Sequence, residues 1–125
     1  MIKFLGKLSR QKVNELYKSS RAGIVIYQPE PNHVAAQPIK MFEFMAAGLP
    51  VVASNFPLWK RIIEDSGCGI CVDPQDKNDV RNACVKLINN VDLCCDMGKA
   101  GRKAVEERYN WNVEARKLLE LYENI

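Results

Sequence analysis

Long apolar runs are missing from this chain: no stretch approaches the roughly 20 residues that a bilayer-spanning helix needs. The opening "MIKFLGKLSRQK" has neither the apolar core nor the small-residue cleavage site of a secretory leader, so none is expected. Histidine is nearly absent, with His33 the single copy. One imidazole and no second C-x-x-C leave no zinc ligand set, and no metal is expected. No serine or cysteine stands at a nucleophile elbow, which argues against a Ser-His-Asp arrangement. The net charge is only +3 and no dense Lys/Arg cluster occurs, so nucleic acid is not an expected partner. Internal repeats and low-complexity tracts are lacking too. The five cysteines are odd in number and, without a leader, read as reduced thiols of a cytoplasmic protein.

What is present is one domain's worth of material. The 125 residues are 47% hydrophobic and 26% charged, enough to bury a modest core. "IKFLG", Ile2 to Gly6, reads as a short strand. "SRQKVNELYKSS" reads as a helix capped by Ser9, with Val13, Leu16 and Tyr17 at helical spacing. "AGIVIYQP" is a buried-type strand ending at Pro29, and "EPNHVAAQ" is a loop. A helix from about Pro38 to Ala47 starts on proline and stops at Gly48 and Pro50. "PVVAS" and "CGICVDP" are strands around a short helix in "NFPLWKRIIED". Three C-terminal helices follow. The first is capped by Asp76, the second is weakened by Gly98 and Gly101, and the third carries the stripe Trp111, Ala115, Leu118, Leu119 and Tyr122. Trp59 and Trp111 are expected packing anchors. Strands alternating with helices indicate an α/β layered fold with a parallel sheet, whose ligands sit beyond the carboxyl ends of the strands.

The helix from Pro38 holds an oddity, a carboxylate inside an almost wholly apolar segment. At about 100° per residue, Lys40, Glu43 and Ala47 share a narrow arc flanked by Ile39, Met41, Phe42, Phe44 and Met45. A ligand-facing stripe has this form; so does an ordinary i,i+3 ion pair on a solvated strip, which contributes only about 0.2–0.5 kcal/mol. Lys40 lies in the first turn, where a cation is disfavoured. The free amides at a helix start bind anions, so Lys40 there points to a phosphate-like ligand.

"CGIC", Cys68 to Cys71, matches a redox or metal pattern. In a strand those Cα atoms lie about 10 Å apart, beyond the roughly 4.4–6.8 Å of a disulfide, and the side chains are expected on opposite faces. They read as structural cysteines, as do Cys84, Cys94 and Cys95. Lys99, Arg102 and Lys103 read as a solvated patch.

"PIKMFEFMAAGLPVVASNFPLWKRIIEDSGCGICVDP" resembles the nucleotide-sugar-binding half of retaining GT-B glycosyltransferases. It is most similar to the bacterial branch that builds capsule and lipopolysaccharide glycans. "FLGKLSRQKVNELYKSSRAGIVIYQP" is similar to the strand, helix and strand before that family's site, and "GRKAVEERYNW" to its C-terminal signature. The resemblance implies a Rossmann-like three-layer domain with a small parallel sheet and C-terminal helices. It implies that Glu43 binds the donor's ribose, that Ile39 and Lys40 hold the diphosphate, and that Gly6, Lys7 and Leu8 lie near the base. The donor is a nucleotide diphosphate sugar, the acceptor a glycan or lipid-linked sugar, and no cofactor is implied.

Two departures qualify the resemblance. The family pattern is Glu, seven residues, Glu; the second is Glu43, but the first falls at Ala35, leaving Glu30 and His33 as loop candidates beside the donor sugar. Residues 1–125 also correspond to only the C-terminal part of a donor-binding domain. The acceptor domain and the strands between "IKFLG" and "AGIVIYQP" have no counterpart, so catalytic residues are not identified and the chain is expected to be inactive alone. "IKFLG" is therefore expected to move beside "GIVIY" or to pair with another chain, as a homodimer or with a separate chain carrying the N-terminal domain. Peripheral membrane association would concern only the complete enzyme. The alternatives are a non-catalytic assembly module and a thiol-redox protein built on "CGIC".

Overall fold

The computed structural model describes residues 2–124. Its elements are α1 (Arg10–Ser19), β1 (Gly23–Val25), α2 (Pro31–Val34), α3 (Ile39–Ala46), β2 (Val51–Ser54), α4 (Pro57–Ser66), β3 (Gly69–Val72), α5 (Lys77–Ile88), α6 (Val91–Glu107) and α7 (Trp111–Glu123). The three strands form one sheet in the order β1-β2-β3, and both pairs are parallel. Ile24 lies opposite Val52, and Val52 opposite Ile70.

Parallel neighbours need crossovers, and the helices that supply them cover both faces. On one face Val25, Val51 and Ala53 pack with Met41 and Met45 of α3 and with Trp59, Ile62 and Ile63 of α4. On the other, Val52 and Val72 meet Ala83 and Leu87 of α5 and Cys94 of α6. β2 is buried along its whole length, which is why its sequence is a continuous apolar run rather than an alternating one. The expected α/β three-layer architecture, with a small parallel sheet and C-terminal helices, is the one observed.

The strand expected at "AGIVIYQP" forms only three ladder residues, the last of them Val25 opposite Ala53. The fully buried Ser54 continues the pairing with its side chain: its hydroxyl accepts from the Tyr27 amide and donates to the Tyr27 carbonyl, both at 2.9 Å. A hydroxyl is both donor and acceptor, so one side chain satisfies a backbone pair that the ladder no longer reaches.

Besides "EPNHVAAQ", expected as a loop but carrying the short helix α2 over Pro31–Val34, four expectations are corrected. "IKFLG" forms no strand and lies beside none: Ile2 is 99% and Phe4 95% exposed, and β1 pairs only with β2. A strand exists through its ladder and a covered face, and Ile2–Leu5 has neither. Pro38 is the cap rather than the first helical residue; its extended backbone (φ −73°, ψ 128°) places its carbonyl to accept from the Met41 amide.

The third correction concerns the glycines of α6, which are packing requirements rather than defects. A Cβ at Gly98 would overlap the carbonyl oxygen of Gly48, and one at Gly101 would crowd Cys68 and Met45. Gly48 in turn sits at φ +75° just past the end of α3, a left-handed conformation that suits glycine. Finally, the apolar stripe of α7 is not covered. None of its residues is buried among the described residues, and Trp111, expected as an anchor, is 73% exposed, whereas Trp59 is completely enclosed.

Candidate functional site

α3 turns Met41 and Met45 into the core and presents Glu43 on its other side, half-buried with 23% of the side chain exposed. The arc read from the sequence is therefore real: Glu43 and Ala47 line one cleft of about 380 Å³, and Lys40 lies 3.5 Å from Glu43 Oε2. The ion-pair reading of Lys40 and Glu43 also holds, but it describes only part of the site.

α1 supplies the rest. Tyr17 donates its hydroxyl to Glu43 Oε2 at 2.9 Å, and Arg10 donates to Oε1 at 3.3 Å. Tyr17 is itself set edge-on against Phe44, with ring centroids 5.5 Å apart. Arg10, Asn14 and Tyr17, spaced i, i+4, i+7, all line the cleft. The sequence reading assigned Tyr17 to an apolar stripe and passed over Arg10. The signal for both was that polar i, i+4, i+7 row, visible in "RQKVNELY" but not informative without knowing which face of α1 meets α3.

The far wall is the joint between α6 and α7. Tyr109 packs on Phe42 at 5.3 Å between centroids and lines the cleft with Val105. Asn110 ties the joint from both sides. Its amide nitrogen donates to the carbonyls of Val105 and Glu106, at 3.0 and 2.8 Å, and its side-chain oxygen accepts from the Val113 amide. One residue thus satisfies the end of one helix and the start of the next. A neighbouring cleft of about 650 Å³ runs from Gln37, Ile39 and Phe42 to Trp111 and Glu114.

Charge at Glu43 is stabilised. Partial burial pushes its carboxyl up, but the Tyr17 hydroxyl, the Lys40 ammonium and the Arg10 guanidinium together hold it below the ordinary glutamate value. The Tyr17 hydroxyl moves the opposite way, raised by burial and by the carboxylate beside it. An ionised carboxylate has about four acceptor positions. One hydrogen bond falls on each oxygen, and the Lys40 ammonium stands at a longer 3.5 Å from Oε2, so acceptor capacity remains on both oxygens, more of it on Oε1. Two adjacent hydroxyls match that pair of positions.

The remaining candidates fall into three groups. Ile39 is the first residue of α3 and lines both clefts; with Lys40 it presents backbone amides that no side chain caps. Gly6, Lys7 and Leu8 lead directly into Ser9, the cap of α1, and Arg10 follows. They do not line the cleft themselves. Glu30, His33 and Ala35 belong to α2 and its ends and also lie outside the cleft. Glu30 is the cap residue without a side-chain bond, and Ala35 closes the helix. His33 is tied to the Gln28 carbonyl at 3.0 Å and rests against Tyr27, 5.0 Å between ring centroids.

Burial works against thiol reactivity at "CGIC". Cys68 is buried and Cys71 partly buried, and burial pushes both thiols up to about 11. Reactive cysteines have lowered values, because the thiolate is the nucleophile. The expected opposite orientation is corrected: both pack against the cluster around Trp59. Cys68 precedes the first residue of β3, so strand alternation does not govern it.

Comparison with known proteins follows the same lines. The family model of glycosyl transferases group 1 matches residues 1–104. A phosphatidyl-myo-inositol mannosyltransferase from Mycobacterium leprae is 37% identical over 87 residues, covering 70% of this chain and 23% of that protein. A sucrose synthase from Denitrovibrio acetiphilus is 30% identical over 121 residues, covering 90% and 15%. The solved structure of sucrose-phosphate synthase from Thermosynechococcus elongatus superposes with a TM-score of 0.83 at 26% identity, over 98% of this chain and 29% of that one. The chain thus spans less than a quarter of the length of these two curated relatives. With its fold, its parallel sheet and the match over most of its length, the chain belongs to the glycosyl transferases group 1 family, the GT-B glycosyltransferases.

Proposed function

We propose that residues 1–125 are the C-terminal part of a donor-binding domain, and that this part binds the nucleotide of a nucleotide diphosphate sugar. The observation that carries the reading is Glu43: an ionised carboxylate on a fixed helix, with acceptor capacity left on each oxygen at the wall of a cleft. That pair of acceptors suits the two vicinal hydroxyls of a ribose. Ile39 and Lys40, at the uncapped start of α3, hold the diphosphate, where amides and the helix dipole favour negative charge. The Gly6, Lys7 and Leu8 loop contacts the base. Glu30, His33 and Ala35 stand on the donor-sugar side, with Ala35 at the position of the family's first glutamate.

With the parts this chain does not span, the enzyme would transfer the sugar with retention onto a glycan or lipid-linked acceptor. The chain alone binds without turnover. The capsule and lipopolysaccharide class is supported by the likeness of "KMFEFMAAGLPVVAS" to that branch, and a lipid-linked acceptor by the mannosyltransferase relative's name. A cytoplasmic location is part of the proposal, supported by five free thiols.

Calorimetric titration with uridine and guanosine diphosphates and their sugars tests the reading. Glu43→Ala is expected to weaken binding by about 1.5–3 kcal/mol, the range for a hydrogen bond to a charged group. Absence of nucleotide binding by the unaltered chain would overturn it. A second reading, an assembly module that pairs with a chain carrying the acceptor domain, is favoured by the open edge of β1. Co-purification of such a chain decides that one.

A further inference from the structure

α1 is attached to the body through few side chains. None of its residues is buried. Among the described residues, the side-chain hydrogen bonds from α1 to another element are two, from Arg10 and Tyr17, and both end on Glu43. The two residues are seven apart, about 10 Å along the helix axis. Two anchor points so separated fix the helix's rotation as well as its position. Tyr17 adds a single aromatic contact, to Phe44, whose ring fills the space a side chain at Gly23 would take. The start of α1 is the end of the Gly6–Leu8 loop.

Resting on the ribose reading of Glu43, we propose that Tyr17 and Arg10 are positioning residues of the nucleoside site. Held by one bond on each oxygen, the carboxylate keeps its rotamer and turns its free acceptor positions toward the cleft. The same two bonds set the distance between the ribose anchor and the base loop, because α1 carries both anchors and begins where that loop ends. Neither residue needs to touch the nucleotide. The charged and titratable groups around Glu43 are Arg10 and Tyr17 from α1, Lys40 from its own helix and Tyr109 from the joint after α6, with Arg102 of α6 and Lys18 in the adjoining cleft. Among the described residues Glu43 is the carboxylate of these two clefts and Glu114 that of the neighbouring one. Since the ligand's phosphate titrates as well, the part of the acid limb that Glu43→Gln abolishes is the part that reports Glu43.

The test titrates the full chain with UDP, GDP and inorganic pyrophosphate, using Tyr17→Phe, Arg10→Lys and Glu43→Gln. Tyr17→Phe keeps the ring on Phe44, and Arg10→Lys keeps the charge but not the planar fork. Both are expected to weaken UDP and GDP about five- to tenfold and to leave pyrophosphate unchanged. Tyr17→Phe should also move the pH at which nucleotide binding is lost upward, since the Glu43 carboxyl loses a group that favours its ionised form. Unchanged or tighter nucleotide binding in both variants, alongside weakened Glu43→Gln, overturns the positioning role and leaves the ribose reading standing. Glu43→Gln binding like the unaltered chain overturns both. A carboxyl NMR titration needs no nucleotide: a Glu43 titration unmoved by Tyr17→Phe overturns the proposal by itself.

Discussion

Glu43 stabilises the fold only while it is ionised. Its folded value lies below the ordinary 4.5, so the folded state favours the carboxylate. The contribution is fully present above about pH 4.5 and is lost as pH falls through the lowered folded value. Glu43→Gln removes it. The melting temperatures of the two proteins should therefore differ at pH 7 and converge as the pH falls through the lowered folded value, measured by thermal melts across the acid range. A constant difference would mean that Glu43 is held by shape rather than by charge. The ion pairs farther from the cleft are a different matter. Lys60–Glu64, Arg102–Glu106 and Lys117–Glu114 are exposed on both sides and are expected to contribute little.

At the scale of elements, α3 and α6 approach so closely that backbone meets backbone at Gly48 and Gly98. Gly98→Ala sets two effects against each other. Alanine in a helix interior gains about 1 kcal/mol in propensity, while inserting a methyl group into a filled contact costs typically about 1–3 kcal/mol. The obstacle is a carbonyl oxygen rather than a flexible side chain, so the cost falls at the upper end and destabilisation wins, by up to about 2 kcal/mol net in urea unfolding. A stabilised variant would show that α6 slides away from α3 at little cost. This is also where sequence reading met its limit. Helix propensity describes a helix alone, so Gly98 and Gly101 read as weaknesses. Their purpose is set by residues distant in the chain, Gly48 for Gly98 and Cys68 with Met45 for Gly101, which periodicity cannot show. By contrast, Ser9, Asp76 and Gly48 were legible, because caps depend on the next few residues only.

At the scale of the whole molecule, two tryptophans with the same sequence character have opposite burial. Trp59 is enclosed between Phe56 and Tyr27 and donates to the Ala36 carbonyl. Trp111 stands on the open stripe of α7. Trp59→Ala should cost about 3–5 kcal/mol, as large core truncations do. Trp111→Ala should change stability by no more than about 0.5 kcal/mol. Chemical unfolding of both variants checks this; a large cost at Trp111 would mean that α7 folds back onto the body in solution. The same contrast separates the two ends of the chain from its middle. Ile2, Phe4 and the α7 stripe are apolar, yet Ile2, Phe4, Trp111, Leu118, Leu119 and Tyr122 are all exposed.

The sequence by itself determined the α/β layering, the parallel sheet and most helix limits, because these follow from local periodicity, caps and turn residues. It also singled out Glu43, since one charge among apolar neighbours is visible without a fold. Only the tertiary structure decided that "IKFLG" has no ladder, that the α7 stripe is uncovered, and that Arg10 and Tyr17 close on Glu43. The physical reason is common to all three. Period and propensity say which face of an element is apolar or polar, but a ladder, a covered face or a clamped carboxylate needs a partner distant in the chain, and which partner arrives is settled by packing.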